Sequence, residues 1–157
     1  MALADDSRHL DYASWWRKSR HLAALLQRMG VGGGDLIGVL CGKTVVLPVA
    51  FTAASMLGAR FVALNPRWPK SERRRVFARW PDRAVLTEDG FDPQSWHTER
   101  VLRVTPDELM EGNEDPEELP EIDSDQVVYL NVTSASTGLA KVAATTHRNL
   151  LANTAAV

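Results

Sequence analysis

The chain has a single cysteine, Cys41, so an internal disulfide is excluded and we expect a reducing compartment, the cytoplasm. No apolar segment near the N-terminus shows the pattern of a signal peptide. The longest uncharged stretch, 44–59, contains a proline and is too short to span a bilayer. The net charge of −2 implies no general attraction to nucleic acid or to a membrane surface.

The remaining composition is that of one globular domain, with 157 residues of which 45% are hydrophobic and 24% are charged. Apolar residues recur at helical spacing over 13–29, with Asp11 as the predicted N-cap and Gly30 as the helix end. Further helices are predicted over 44–57, 70–80 and 148–157, and strands over 36–41, 61–64, 84–86, 101–104 and 127–132. Continuous apolar strands that alternate with helices indicate an α/β fold with a mostly parallel sheet flanked by helices.

Two charged segments interrupt this pattern. In the segment 106–125, ten residues are Asp or Glu and three are Pro, which favours a solvated linker over a metal-binding or protein-binding site. We therefore divide the chain into an α/β subdomain (1–105), an acidic linker (106–125) and a final segment (126–157). A basic cluster accompanies Trp68 and Trp80 and is interpreted as an exposed helix face that could meet the acidic linker, rather than as a nucleic-acid patch: Arg67, Lys70, Arg73, Arg74, Arg75 and Arg79.

The final segment carries the most specific pattern. The apolar run 127–130 leads into small hydroxyl residues, one glycine and a lysine: Thr133, Ser134, Ser136, Thr137, Gly138 and Lys141. Short side chains allow backbone N–H groups to approach a polyphosphate, and a lysine supplies positive charge. The spacing does not fit a Walker A loop. The alternative is a Ser/Thr-rich turn between a strand and the last helix, where Thr146 is the predicted N-cap and His147 lies in the first turn.

This stretch resembles the phosphate-binding signature of the adenylate-forming enzymes, which include acyl-CoA synthetases, peptide-synthetase adenylation domains and luciferases. Their signature reads T-S-G-[ST]-T-G-x-P-K-G, followed by T-H-x-N-L. Three positions depart from it, because Ala135, Ala140 and Val142 replace a glycine, a proline and a glycine. Each change adds side-chain bulk or removes a backbone constraint in a loop that contacts phosphate, and so bears on nucleotide affinity. The order of apolar and glycine residues from about Leu10 onward also resembles the opening of the family's large domain.

The resemblance implies a reaction of a carboxylate with ATP that yields an acyl-adenylate and pyrophosphate. It assigns Thr133, Ser134, Ser136, Thr137 and Gly138 to the pyrophosphate, Lys141 to its charge, and His147 to the acyl pocket. ATP and Mg²⁺ are the implied cofactors, while no metal ligand and no complete catalytic set is assigned to this chain. The acid that is activated is not indicated.

The resemblance also covers only the opening part of such an enzyme. We therefore expect an N-terminal fragment or split subunit that needs a second chain with the C-terminal part, with CoA or a carrier protein as acyl acceptor. The alternatives are an excised piece of a longer synthetase and a degenerate, non-catalytic remnant that regulates a partner. We further expect the strand near 127–132 to be unpaired and the helix that ends at Val157 to be uncovered.

Overall fold

The structure is a computed structural model that describes residues 2–65, 67–69, 71, 83–88, 90–91, 100–133 and 141–155. The helices are α1 (Tyr12–Arg28), α2 (Val46–Met56), α3 (Pro106–Glu111) and α4 (His147–Ala155). The strands are β1 (Leu3–Ala4), β2 (His9–Leu10), β3 (Leu36–Leu40), β4 (Arg60–Ala63), β5 (Arg83–Thr87), β6 (Val101–Arg103), β7 (Val127–Thr133) and β8 (Lys141–Thr146). The helix predicted over 70–80 falls almost wholly outside the described residues, as does most of the basic cluster.

A six-stranded sheet in the order β6-β5-β3-β4-β7-β8 organises the described residues. Strands β3 to β7 are joined by parallel pairings, whereas β8 runs antiparallel to its neighbour, β7. β1 and β2 form a separate antiparallel pair that the sequence did not predict. The predicted fold class, an α/β domain with a mostly parallel sheet and flanking helices, is confirmed.

Apolar side chains cover both faces of this sheet, as the continuous apolar strands predicted. On one face α1 and α2 pack against a cluster that includes Ile37, Phe61 and Leu86. On the other face Leu36, Val62 and Val85 form a second cluster. Neighbouring residues of one strand thus enter different clusters, because successive side chains point to opposite faces.

Both ends of α1 follow the sequence prediction. The Asp11 carboxylate accepts the N–H of Ser14 and caps the start of the helix, and Gly30 follows its end with φ of +74°. Only a residue without Cβ adopts that left-handed conformation at low cost. The neighbouring Trp15 and Trp16 diverge as helical geometry requires, since Trp15 packs against the first cluster and Trp16 is 53% exposed. No helix in the described part of the chain is long and apolar enough to cross a bilayer.

The acidic segment is more ordered than a solvated linker. Its first six residues form α3, which begins with a capping box because Thr105 and Glu108 each bind the backbone N–H of the other. Leu109 of this helix is fully buried. The residues after α3, here called the docked segment (112–118), lie along α1. Partners within the described residues explain this position: Arg20 pairs with Asp115 at 2.6 Å, and Arg28 pairs with Glu114.

The strand predicted to be unpaired, β7, has a hydrogen-bonded neighbour on each side, so that prediction is wrong. Tyr129 of β7 pairs in register with Phe61 of β4, and its ring packs 5.9 Å from the ring of Phe61. The other neighbour is β8, which the sequence interpretation treated as part of a loop. The expectation for the last helix is correct over the described residues, because α4 has no buried residue.

Candidate phosphate-binding site

The carboxyl ends of the parallel strands β3, β4, β5 and β7 lie at one edge of the sheet. Ligands of open α/β sheets bind at this edge, outside the carboxyl ends of the strands. The hydroxyl-rich segment follows β7 directly, so it leaves the sheet at the edge where a ligand is expected. The position of this segment in the fold therefore suits a ligand-binding site.

Two of the predicted phosphate-binding residues lie within the described chain. Thr133 is the last residue of β7, and it pairs in register with Lys141, the first residue of β8. Residues paired in this way have Cα atoms about 5 Å apart. Lys141 is exposed. Ser134, Ser136, Thr137 and Gly138 lie outside the described residues, and so do Ala135 and Ala140.

Val142 has a different role from the one that the sequence suggested. It was expected to add bulk to a phosphate-contacting loop, but it lies within β8, opposite Val132 of β7. Both valines pack against the second apolar cluster. Because side chains alternate along a strand, Lys141 points to the other face of the sheet, the face that α1 and α2 cover. Val142 therefore helps to hold β8, the strand that carries Lys141, against the second cluster.

His147 lies at the opposite end of β8 from Lys141. Lys141 begins β8 and His147 follows its last residue, a span of six residue steps that corresponds to about 20 Å along an extended strand. His147 begins α4, where its backbone N–H donates to the carbonyl of Gln126 at 3.2 Å. Thr146 caps the helix as predicted, since its hydroxyl accepts the N–H of Asn149 at 3.2 Å. The structure thus does not bring His147 and Lys141 together, and the assignment of His147 to an acyl pocket stays a prediction.

A buried carboxylate at the same edge was missed by the sequence interpretation. Glu88 follows β5 and is only 6% exposed. Its carboxylate accepts the backbone N–H of Gly42 and the hydroxyl of Thr44, each at 2.8 Å. Burial, with a smaller contribution from Glu88, raises the pKa of the Cys41 thiol to about 12, so this cysteine stays protonated near neutral pH. An acidic residue that directly ends an apolar strand was the available signal.

A second carboxylate, that of Asp5, supports the start of α2 from outside the helix. Asp5 accepts the backbone N–H of Val45 at 3.0 Å, together with the N–H groups of Ser7 and Arg8. These hydrogen bonds, with the one from Val45 the largest cause, lower the pKa of Asp5 to about 2. Negative charge at the N-terminus of a helix is stabilising. Asp5 and Glu88 thus fix the segment between β3 and α2 at the edge of the sheet.

The donor chemistry around β7 and β8 suits a polyphosphate better than a metal ion. The segment that follows β7 offers hydroxyls, backbone N–H groups and the Lys141 ammonium, all of which bind anions. Within the described ranges, no group of three or more His, Cys, Asp or Glu side chains is placed to hold a metal. These residue types are the ones that the sequence analysis assigned to phosphate, and that assignment stays a prediction.

Comparison with known proteins identifies the family. The family model for AMP-binding enzymes matches residues 1–157. The chain belongs to the AMP-binding enzyme family. The resemblance to adenylate-forming enzymes is thereby confirmed, and the relatives of this chain include both acyl-CoA ligases and peptide synthetases.

Two curated relatives and one solved structure illustrate the range. A 4-coumarate–CoA ligase of Oryza sativa subsp. japonica is 32% identical over an alignment of 163 positions that covers 87% of this chain and 29% of the ligase. Tyrocidine synthase 3 of Brevibacillus parabrevis is 27% identical over 142 residues, which cover 90% of this chain and 2% of that synthase. The O-succinylbenzoate coenzyme A synthetase of Bacillus subtilis, solved with AMP, has a TM-score of 0.80 at 23% identity and shows the shared fold. The match covers 96% of this chain and 40% of the synthetase chain, so this chain spans less than half of each of these relatives.

Proposed function

We propose that this chain is the N-terminal portion of an ATP-dependent enzyme that adenylates a carboxylic acid, and that it supplies the pyrophosphate-binding loop. One observation carries the proposal: the family match extends over the whole chain, and the matching hydroxyl and lysine motif follows β7 at the ligand-binding edge of the sheet. The described geometry adds that Lys141 stands opposite the end of β7.

In this reaction an oxygen of the substrate carboxylate attacks the α-phosphorus of ATP. A new bond forms between that oxygen and the α-phosphorus, the bond from the α-phosphorus to the bridging oxygen breaks, and pyrophosphate leaves with that electron pair. Negative charge builds on the leaving group, and the Lys141 ammonium would offset it. Backbone N–H groups and hydroxyls of Thr133, Ser134, Ser136, Thr137 and Gly138 would hold the pyrophosphate oxygens.

The rest of the enzyme is proposed to come from a second polypeptide or from a continuation of this one. Magnesium would add charge neutralisation at the phosphates, and its ligands are expected in that remainder. The acyl pocket would lie there too, with His147 as a candidate contribution from this chain. CoA or a carrier protein is the proposed acyl acceptor, and the single half-buried cysteine suits the cytoplasm.

ATP–pyrophosphate exchange tests the proposal. The 157-residue chain alone should give background exchange over a panel of carboxylic acids, and addition of the C-terminal remainder should restore it. In the assembled enzyme Lys141→Ala should lower exchange by roughly 10²–10³-fold with a smaller change in apparent ATP affinity, because the charge matters most as pyrophosphate leaves. Arg17→Ala, which removes an exposed cation from α1, is the control. An unchanged rate in Lys141→Ala would show that this lysine does not serve pyrophosphate.

A second candidate is a non-catalytic remnant that binds and regulates a partner. The departures at Ala135 and Ala140 favour it, because each replaces a residue that suits a tight phosphate loop, whereas Val142 lies in β8. The same assay separates the two candidates. If the assembled protein never supports exchange, and Ala135→Gly does not restore it, the remnant is the better account.

A further inference from the structure

A set of hydrogen bonds, here called the base clasp, closes the end of the β7–β8 pair that is remote from Lys141. The Arg148 guanidinium binds both oxygens of the Asp125 carboxylate, through Nε at 2.6 Å and Nη2 at 2.9 Å. Nη2 also donates to the Ser124 hydroxyl at 3.0 Å, and the Arg148 backbone N–H donates to the Ser124 carbonyl at 2.7 Å. The clasp thus ties the first turn of α4 to the residues that precede β7.

The strand between the clasp and Lys141 has few features of its own that fix its register. Among the described residues of β8, Val142 alone packs against an apolar cluster. The following four residues, 143–146, are two alanines and two threonines. Over the described chain β8 has one strand neighbour in the sheet, and α4 beyond it has no buried residue. Strands with weak side-chain patterns are prone to register slippage.

We propose that Arg148 is a positioning residue that locks β8 in register and so determines the face of the sheet from which Lys141 emerges. A bidentate arginine–carboxylate contact fixes orientation as well as distance, which a single lysine contact does not. The irregularity in pairing between Val127 and Tyr129 lies beside the clasp. An extra residue in one strand disrupts the hydrogen bonds between the two strands locally, so a contact that fixes their pairing is needed at this end.

A slip by one residue would have a large geometric consequence. It moves every side chain of β8 to the opposite face, because the side-chain period of a strand is two. Lys141 would then leave the α1 and α2 face, and Val142 would lose its place in the second cluster. This step rests on the proposed function only in that Lys141 is taken to serve pyrophosphate, whereas the register itself can be measured without any nucleotide.

Disulfide trapping in the full 157-residue chain, on a Cys41→Ala background, measures the register. Asn131 and Ala143 are exposed partners in the observed pairing, so cysteines there report the native register. Cysteines at Asn131 and Ala144, or at Asn131 and Val142, report a slip in either direction. Arg148→Ala should raise the ratio of slipped to native cross-links roughly fivefold, the scale of one exposed ion pair. Arg148→Lys should give a smaller rise.

Two controls complete the test. Arg28→Ala removes an exposed arginine–carboxylate pair elsewhere on the molecule and should leave the ratio unchanged. The charge swap Asp125→Arg with Arg148→Asp should bring the ratio back toward the original value. An unchanged ratio in Arg148→Ala, or equal losses of all three cross-links, would overturn the register lock.

Titration with inorganic pyrophosphate separates this proposal from the proposed function. If the unmodified chain binds pyrophosphate and Arg148→Ala binds it several-fold more weakly while the ratio rises, both ideas are supported. If the ratio rises but pyrophosphate binds neither form, the lock stands and the phosphate role of this chain fails. If pyrophosphate binds both forms equally while the ratio is unchanged, the lock fails and the phosphate role stands.

Discussion

The docked segment (112–118) and the β8–α4 arm (141–155) lie on the same domain but are held in opposite ways. The docked segment is rich in acidic residues, yet its groups find partners along α1. Lys18 donates to the carbonyl of Gly112 at 2.9 Å, and His21 accepts the N–H of Glu114 at 3.2 Å. The arm has an ordinary composition, but α4 buries no side chain over its described residues and Leu151 is 66% exposed.

This difference shows that composition alone does not decide which segment becomes part of the folded unit. A charged segment is fixed when each polar group meets a matched partner, because unpaired polar groups are costly to bury and paired ones are not. Lys18 and His21 are buried for that reason, although both carry polar ends. The base clasp gives the arm a contact of this kind, but it lies at the surface, where an ion pair stabilises far less than burial does.

The largest expected difference in stability is between substitutions of two leucines, one in α3 and one in the arm. Leu109 of α3 is fully buried, so Leu109→Ala should lower the free energy of unfolding by about 2–5 kcal/mol through lost burial and a cavity. Leu151→Ala in the arm should change it by less than about 0.5 kcal/mol. Urea denaturation of both variants measures the contrast. Equal losses would mean that the arm is packed as firmly as α3.

The docked segment can also be displaced by a single methyl group at Gly112. A Cβ built there would lie 1.9 Å from Nε2 of His21, so the imidazole or the segment must move. Gly112→Ala should therefore cost about 1–3 kcal/mol of unfolding free energy. Gly32→Ala is the matched control, since a Cβ at that glycine meets no atom within 4 Å. The interpretation fails if the two alanine variants unfold at the same urea concentration.

Within the arm, substitution of Val142 should have a smaller effect on the free energy of unfolding. Val142→Gly should lower the free energy of unfolding by about 1 kcal/mol, because glycine weakens a strand and removes a half-buried side chain. Ala143→Gly, at an exposed position of the same strand, isolates the backbone contribution and should cost less. A gain in stability on Val142→Gly would indicate that the valine strains β8 instead of holding it in place.

The smallest expected effect is a pH dependence confined to the docked segment. Burial is the largest cause that holds the pKa of His21 below its ordinary value of 6.5. Among the nearby charges, Glu114 raises this pKa, whereas Lys18 and Arg28 lower it. The unfolded chain therefore binds a proton more readily than the folded chain. This contribution to stability is present above about pH 6.5 and is lost as the pH falls below it.

Denaturation at about pH 7.5 and pH 5 measures this dependence. His21→Gln should lose part of the difference in unfolding free energy between the two pH values. His9→Gln is the control, because His9 is exposed on β2 and should retain the full difference. An identical pH dependence in both variants would mean that His21 is not the titrating group.

Elements with strong local signals were predictable. The apolar period of α1, its Asp11 cap and the continuous apolar run of β3 all appear close to the predicted positions. By contrast, β8 was missed because its alanines and threonines show no clear alternation. Helix α3 was missed although its Thr105 and Glu108 capping signature was readable, since the acidic and proline content of the segment was given more weight.

The features of the candidate site fall into the same two groups, those with a local sequence signal and those that depend on tertiary contacts. The motif that identified Lys141 is local, so the sequence alone supplied the family and the residue types that would hold phosphate. The partner of Lys141 across β7, the role of Val142 and the distance from Lys141 to His147 depend on strand pairing. Pairing joins residues that no short-range pattern links, and the bulge beside Val127 shifts it further.

The sequence by itself determined the fold class, the ends of α1 and the family, because periodicity, capping and motif spacing are written in neighbouring residues. Only the tertiary structure decided that the acidic segment docks on α1, that Glu88 is buried, and that Arg148 closes the base of the β7–β8 pair. These outcomes rest on contacts between residues far apart in the chain, such as Lys18 with Gly112, whose free energy appears only once both surfaces are formed.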